Sequence, residues 1–352
     1  MGEVFAGRYE LMEPIGAGGM GTVWLVHDRR EDVVRAAKLV RQVDAALLLR
    51  FVRELSTRVE HPHTVRPLGW AGEDDTVLFT MDVVRGGSVH DLLEDFGTLP
   101  VPWAACLLDQ LLDALGAVHG AGILHRDVKP ANLLLEPTGR GRPYLRLSDF
   151  GVAAPLHEPR MTAPAMVLGT RGYRAPESLV GADLHPTQDL YGVGVVLAEM
   201  LSGQRPEEGS PLAPAPPAGV DGRLWRLALG LTDPDPRRRP QSAADARGYL
   251  RSTGLVPPEG VAPDDGGADI EVFVHVTVPG DEPAAVSPVE PAPAPVEPAP
   301  APVEPAAASP VEPAPAPVEP AASSRPRLAA AGFAAIGLGI ALLVVTAVLL
   351  LG

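Results

Sequence analysis

Lysine is nearly absent from this chain. Of 29 basic residues only two, Lys38 and Lys129, are lysine, and the other 27 are arginine. A solvated surface charge can be either residue, so two retained lysines mark positions that need a compact ammonium with three rotatable donors rather than a planar fork. Cysteine is also scarce. The single Cys106 excludes an intrachain disulfide and a cysteine-based metal cluster, and its place in an apolar helical run predicts a buried small hydrophobe. Basic residues vanish entirely between Glu259 and Glu319, where 12 acidic residues stand. The first 250 residues carry 32 acidic and 26 basic side chains, which leaves no basic face and excludes a nucleic-acid partner. The opening MGEVFAGRYE lacks a basic-then-apolar signal peptide. Ala6 stands where Gly2 myristoylation would want a hydroxyl residue.

What is present divides into three regions. Up to about residue 250 the chain is an ordinary globular mixture. YELMEPIGAGGMGTVWLVHD reads as strand, glycine turn, strand, and VVRAAKLV as a third strand. DAALLLRFVRELSTRV has helical apolar spacing, and TVLFTMDVV reads as another strand. From GGSVHDLLEDF onward the pattern is helical. WAACLLDQLLDALGAVHGAG is a long helix ending at glycines, and DLYGVGVVLAEMLSG is a buried one. NLLLE and YLRLSD flank PTGRGRP as a hairpin, and two more helices fall near 222–232 and 241–252. Strands first and helices later predict an α+β fold with a small β-rich lobe and a larger helical lobe, over residues 8–252.

Residues 253–327 read as a flexible Pro/Ala/Glu-rich linker. V-E-P recurs at Val289, Val296, Val303, Val311 and Val318, mostly every seven residues. Proline at this density excludes a coiled coil and predicts a polyproline II spacer, whose 36 residues from Ser287 to Ala322 reach roughly 110 Å when fully extended. Within the linker IEVFVHVTV, 270–278, alternates like a strand that pairs with a lobe edge or a partner. The last 25 residues carry no charge, enough for a transmembrane helix over 328–351 of roughly 37 Å. Arg325 and Arg327 precede it, which predicts a cytoplasmic position for residues 1–327 and a C-terminus at or just beyond the outer face of the cell membrane. With no sequence beyond Gly352, no extracellular sensor is expected.

The chemistry concentrates in the first region. Gly16-x-Gly18-x-x-Gly21-x-Val23 lies between two strands, whereas dinucleotide-binding folds open a helix after their glycines. A strand–loop–strand of this kind can lie over triphosphate oxygens and offer them backbone N–H groups. Lys38 follows in the third strand, where an ammonium can bridge two phosphates if a carboxylate such as Glu54 holds it. In HRDVKPAN, Asp127 can orient and deprotonate a hydroxyl, Lys129 can neutralise phosphoryl charge, and Asn132 offers a hard oxygen to Mg2+. Asp149 in SDFG is a second metal ligand. Phosphoryl transfer needs phosphates clamped, charge neutralised and a nucleophile aimed in line, and each role has a residue.

GAGGMG, RAAK, Glu54, HRDVKPAN, DFG, GTRGYRAPE, DLYGVG and RRRP occur in that order. Through them the first ~250 residues resemble the eukaryotic-like (Hanks-type) serine/threonine protein kinases of bacteria. The resemblance implies a bilobal protein kinase fold and an ATP- and Mg2+-dependent phosphotransferase acting on protein Ser/Thr hydroxyls, with Mn2+ able to substitute. ATP is expected between the lobes against Ile15, Gly16, Ala17, Gly18, Gly19, Met20, Gly21, Val23, Ala36, Lys38, Met81, Asp82 and Val84. Met81 would be the gatekeeper and residues 82–86 the hinge. Asn132 and Asp149 would hold the metal. Thr170 would bridge Asp127 and Lys129, Glu177 would pair with Arg239, and Asp189 would support the catalytic loop from a buried helix.

Thr162 is the one hydroxyl residue between Phe150 and Gly169. It is the expected autophosphorylation site, with Arg126 a receiver for its phosphate. The expected partners are protein substrates, the membrane and a second copy of the chain, since tethering favours phosphorylation in trans. The proline-rich 203–222 stretch is short where the resembled family builds a substrate-docking helix. The rival to a working enzyme is a catalytically silent scaffold. Such a chain would lack one of Lys38, Asp127, Asn132 or Asp149, and all four are present.

Overall fold

The computed structural model describes residues 2–18, 21–41, 59–65, 67–74, 76–149, 154–155, 172–205, 207 and 210–280. The first of these build one six-stranded antiparallel sheet. Its strands are β1 (Val4–Phe5), β2 (Tyr9–Gly18), β3 (Gly21–Asp28), β4 (Val33–Arg41), β5 (Pro67–Glu73) and β6 (Thr76–Met81), in spatial order β1-β2-β3-β4-β6-β5. The three strands expected before residue 41 and the one opening at Thr76 are all there. β5 was not anticipated, because Pro67, Gly69 and Gly72 mask its β character in sequence.

Register gives this sheet two unlike faces. Val23 pairs with Gly16 on one side and Lys38 on the other, Lys38 pairs with Phe79, and Ala36 with Met81. Directly paired residues share a face and neighbours alternate, so Val23, Ala36, Lys38, Phe79 and Met81 stand together. The other face carries Val26, Ala37 and Leu78, which close a small core with Phe5, Tyr9 and Leu11. The Lys38 face lies opposite that core.

Residues 82–88 lead from the sheet into helices. α1 (Val89–Phe96) begins with a capping box. Ser88 Oγ accepts from Asp91 N–H at 3.3 Å, and Asp91 Oδ2 accepts from Ser88 N–H at 2.7 Å. α2 (Val101–Gly120) starts with Pro102 in its first turn, where a missing N–H costs nothing. It is long and apolar enough to cross a bilayer by length and composition. Here it is the centre of a core, with Trp103, Leu107, Leu108, Leu111 and Leu115 all buried. Cys106 is buried as expected, and burial pushes its thiol up to about 11.

Next come β7 (Ile123–Leu124), a 3-10 turn at Pro130–Asn132, and the hairpin of β8 (Leu133–Leu135) with β9 (Leu145–Leu147). β10 (Ala154–Pro155) pairs with β7. The short α3 (Pro176–Leu179) precedes α4 (Thr187–Ser202), every residue of which from Thr187 to Leu201 is buried. A helix with apolar residues on every side must sit inside, and its few polar groups, Asp189 and Glu199 among them, need partners there. α5 (Gly222–Leu231) and α6 (Ala243–Ser252) complete the large lobe. Among the described residues 203–221 contain no helix, as their prolines required. Leu212 and Val220 nevertheless pack on the core, and Trp225 Nε1 donates to Ala213 O at 2.9 Å.

Two expectations for the tail need correction. A flexible linker was expected from residue 253, but the chain stays laid on the large lobe as far as Val272 and then reaches Arg85 of the connection. Leu255 and Val256 pack on the core, and Ile270 and Val272 are buried. The strand expected over 270–278 reduces to one antiparallel bridge, Gly139 with Val272. Alternation fails because Phe273, Val274 and His275 are exposed in succession. The V-E-P spacer and the apolar segment 328–351 lie outside the described residues.

One polar cluster ties the central helix to the last one. The buried Asp109 of α2 receives Arg247 at 2.9 and 3.0 Å and Arg251 at 2.7 and 3.0 Å, while Arg247 also meets Asp113. Burial opposes ionisation of Asp109, but the bonds from Arg251 and Arg247 outweigh it and bring the carboxyl down to about 2. A depressed carboxyl stabilises fully above its unfolded value of about 3.9, and that stabilisation is lost as pH falls toward the folded value. Asp109→Ala should therefore cost about 3 kcal/mol in urea unfolding at pH 7. Between about pH 4 and pH 2 the difference from the parent should shrink; a gap that stays constant over that range would contradict the assignment.

Candidate active site

The two lysines are linked by a chain of polar contacts with one covalent step, from Asp149 to Ser148. Lys38 Nζ, on β4, pairs with Asp149 Oδ1, which follows β9. The neighbour of Asp149, Ser148, donates to Asn132 O from both N–H (2.9 Å) and Oγ (3.0 Å). Asn132 Nδ2 donates to Asp127 O at 2.7 Å and to Asp127 Oδ2 at 3.0 Å. Lys129 Nζ then donates to the same Oδ2 at 2.7 Å. Residues more than a hundred positions apart in sequence are thus gathered at the junction of sheet and helices. Asp127 and Asn132 are both 5% exposed, so these bonds act where water competes little.

Asp189 of α4 aims the loop that carries Asp127. Its Oδ1 accepts from Arg126 N–H at 2.7 Å, and its Oδ2 accepts from His125 N–H and pairs with His119 Nε2, each at 2.8 Å. His125 Nε2 in turn pairs with Ser148 O at 2.9 Å. Full burial would push the Asp189 carboxyl up, but the His119 bond and the charges and N–H groups around it hold it below the ordinary carboxylate value. Arg126 and Asp149 both have positive φ, 70° and 64°, which non-glycine residues seldom adopt. Such backbone persists when its surroundings over-determine it, as the paired N–H bonds to Asp189 do at Arg126.

The remaining sequence-predicted residues fall as follows. Ile15 and Gly16 lie on β2, with the backbone of Ala17 and Gly18 at its end; Gly21 and Val23 lie on β3. Gly21 has a φ of 141°, and a Cβ there would stand 2.0 Å from Leu39 O, so only glycine fits. Ala36 is buried beside Lys38 on β4, Met81 ends β6, and Asp82 and Val84 lie in the connection that follows. Glu177 of α3 takes a bidentate pair from Arg239 at 2.7 and 2.8 Å. Arg239 also donates to Thr187 O and Asp233 O and lies over the Tyr191 ring. Gly19, Met20, Glu54, Thr162 and Thr170 lie outside the described residues.

Sequence reading missed His119 and Ser148. The signal for Ser148 was its place between a buried strand and Asp149. His119 could be found only by asking which groups a buried aspartate must have to stay charged.

The donor set suits a small hard cation. The amide nitrogen of Asn132 is committed to Asp127, which leaves its side-chain oxygen for a cation, and Asp149 would add a carboxylate. Among the described residues no group of three His, Cys, Asp or Glu side chains could hold a metal alone. Two protein oxygens are what Mg2+ takes when phosphates and water complete its shell.

The protein kinase domain model matches residues 9–214, more than half of the chain. The chain is 34% identical over 267 residues to Serine/threonine-protein kinase PkaA of Streptomyces coelicolor, covering 68% of this chain and 49% of that protein. It is 36% identical over 265 residues to Serine/threonine-protein kinase pkn2 of Myxococcus xanthus, covering 68% and 32%. To Serine/threonine-protein kinase PknA of Mycobacterium tuberculosis it is 33% identical over 263 residues, covering 72% and 58%. The chain thus spans less than two thirds of these relatives. A match of this extent, over the very strands and loops that assemble the polar chain from Lys38 to Lys129, places the chain in the protein kinase family.

Proposed function

We propose that the chain is an ATP- and Mg2+-dependent serine/threonine protein kinase, able to autophosphorylate and anchored in the bacterial cell membrane. The observation that carries the activity is the path from Lys38 to Asp149, and from its chain neighbour Ser148 through Asn132 and Asp127 to Lys129. The names of the relatives support the serine/threonine class.

ATP lies against the Lys38 face of the sheet, with its adenine between Ala36, Met81 and the backbone of Asp82–Val84 and its phosphates beneath the glycine turn. Lys38 presents its ammonium to the α- and β-phosphates. Asn132 and Asp149 hold Mg2+, with Mn2+ an acceptable replacement; bound there, the ion supplies neutralisation of charge on the transferring group. Asp127 accepts the substrate hydroxyl proton as that oxygen bonds to the γ-phosphorus. The bond from the γ-phosphorus to its bridging oxygen breaks, and ADP leaves with that oxygen. Lys129 faces the negative charge spread over the transferred phosphoryl oxygens.

Lys38→Met and Asp127→Asn should each lower transfer of labelled γ-phosphate to a generic acceptor protein by at least about 100-fold. Thermal unfolding within a few degrees of the parent would show that both variants remain folded. Parent activity no higher than these two variants would reduce the chain to a nucleotide-binding scaffold.

Thr162 is the expected site of autophosphorylation in trans, with Arg126 receiving the phosphate. Mass spectrometry of active protein should find phosphate there, and Thr162→Ala should lose most activity. An unmodified Thr162 together with a fully active alanine variant would reject the site.

The uncharged segment 328–351, with Arg325 and Arg327 before it, supports a single span with the kinase domain on the cytoplasmic side. Two tethered copies meet at raised local concentration, which favours a homodimer on the membrane. The full chain should sediment with membranes after carbonate washing, and truncation after residue 327 should release it; an equally sedimenting truncation would remove the anchor from this reading.

A further inference from the structure

The strap that replaced the expected linker does more than cover the large lobe. It begins at Arg142, whose Nη1 donates to Pro258 O at 2.9 Å and to Pro257 O and Val261 O at 3.2 and 3.3 Å. Arg140 then meets Asp269 at 2.8 Å and Glu271 at 3.7 Å, matching basic hairpin residues to the acidic stretch of the tail. Gly139 and Val272 exchange both backbone bonds, at 3.1 and 2.9 Å. Ile270 and Val272 are each 1% exposed. Past that bridge, the N–H groups of His275 and Val276 converge on Arg85 O at 2.7 and 3.2 Å.

Arg85 belongs to the connection between the lobes, and its neighbour Gly86 is held from two sides. Gly86 N–H donates to Leu135 O at 2.8 Å, and a Cβ there would stand 2.6 Å from that oxygen and 2.8 Å from Val272 Cγ1. The connection is therefore clamped between β8 and the strap. Further along, Val278, Pro279 and Gly280 line an open cleft of about 690 Å³ together with Asp82 of the connection and Asp32 and Val33 of the small lobe. The strap thus reaches from the β8–β9 hairpin, across the connection, to the turn between β3 and β4.

We infer that residues 263–278 brace the hinge, with Val272 as the positioning residue that, together with the His275 and Val276 N–H groups, holds the Arg85–Gly87 backbone and so preorganises the nucleotide site. This rests on the kinase reading, because adenine and ribose would bind the inner side of the same connection.

The test uses the full chain in detergent micelles, with Val272→Asp set against its exposed neighbour Phe273→Asp. Two measurements are made: hydrogen exchange of the amides of residues 84–88 without nucleotide, and the KM for ATP and kcat, with ADP affinity by calorimetry. Val272→Asp should speed exchange at Gly86 at least tenfold and raise the ATP KM and the ADP Kd three- to tenfold, with kcat changed less than twofold. Phe273→Asp should leave all of these within twofold. Should Val272→Asp not fold, the surface pair Arg140→Ala/Arg142→Ala carries the test, with the same direction and a smaller size. Folded Val272→Asp, or that pair, matching Phe273→Asp in both measurements would overturn the brace. A parent chain that neither binds ADP nor transfers phosphate would instead sink the kinase reading, and the hinge exchange would then decide the brace alone.

Discussion

The site depends on one buried carboxylate. Asp189 sits on a helix with no solvent face, where an ionised group persists only with partners that replace water. It has three, His119 and the N–H groups of His125 and Arg126, and they arrive from the end of α2 and from the loop before Asp127. One charge thus fixes the direction in which a loop leaves a helix–strand junction. The positive φ of Arg126 follows from that constraint, as does the aim of Asp127. Phosphoryl transfer asks protein mainly for positioning, so the residue that positions matters as much as those that touch the phosphates.

Much of this was legible in the sequence, for a physical reason. Side chains that must meet phosphate, metal and hydroxyl are restricted in type, and the scarcity of lysine made Lys38 and Lys129 stand out. The strands around the glycine turn, the hairpin after Asn132 and the long helices followed from periodicity and turn residues. Glu177 with Arg239 and Asp189 beneath the loop were implied by resemblance, and the coordinates bring both sets into contact. β5 was hidden because its proline and glycines act against propensity and only pairing with β6 makes it a strand.

The tail misled for a different reason. Composition marked 253–280 as linker because proline, glycine and acid residues dominate it, and composition records what a segment can bury by itself. Ile270 and Val272 bury against another part of the chain, and the acids find Arg140. Nothing local announces such docking. The paired glycines 86–87 were a trace of it, since a close approach of backbone to backbone removes side chains from both.

The unequal faces of the small sheet carry a thermodynamic consequence. Among the described residues one face of this sheet closes a six-residue cluster, while the large lobe holds an extended one. Cohesion of the small lobe therefore draws also on its Lys38 face, where Leu25, Ala36 and Phe79 are buried, and on the connection. Occupancy of that face and local melting are then two views of one equilibrium.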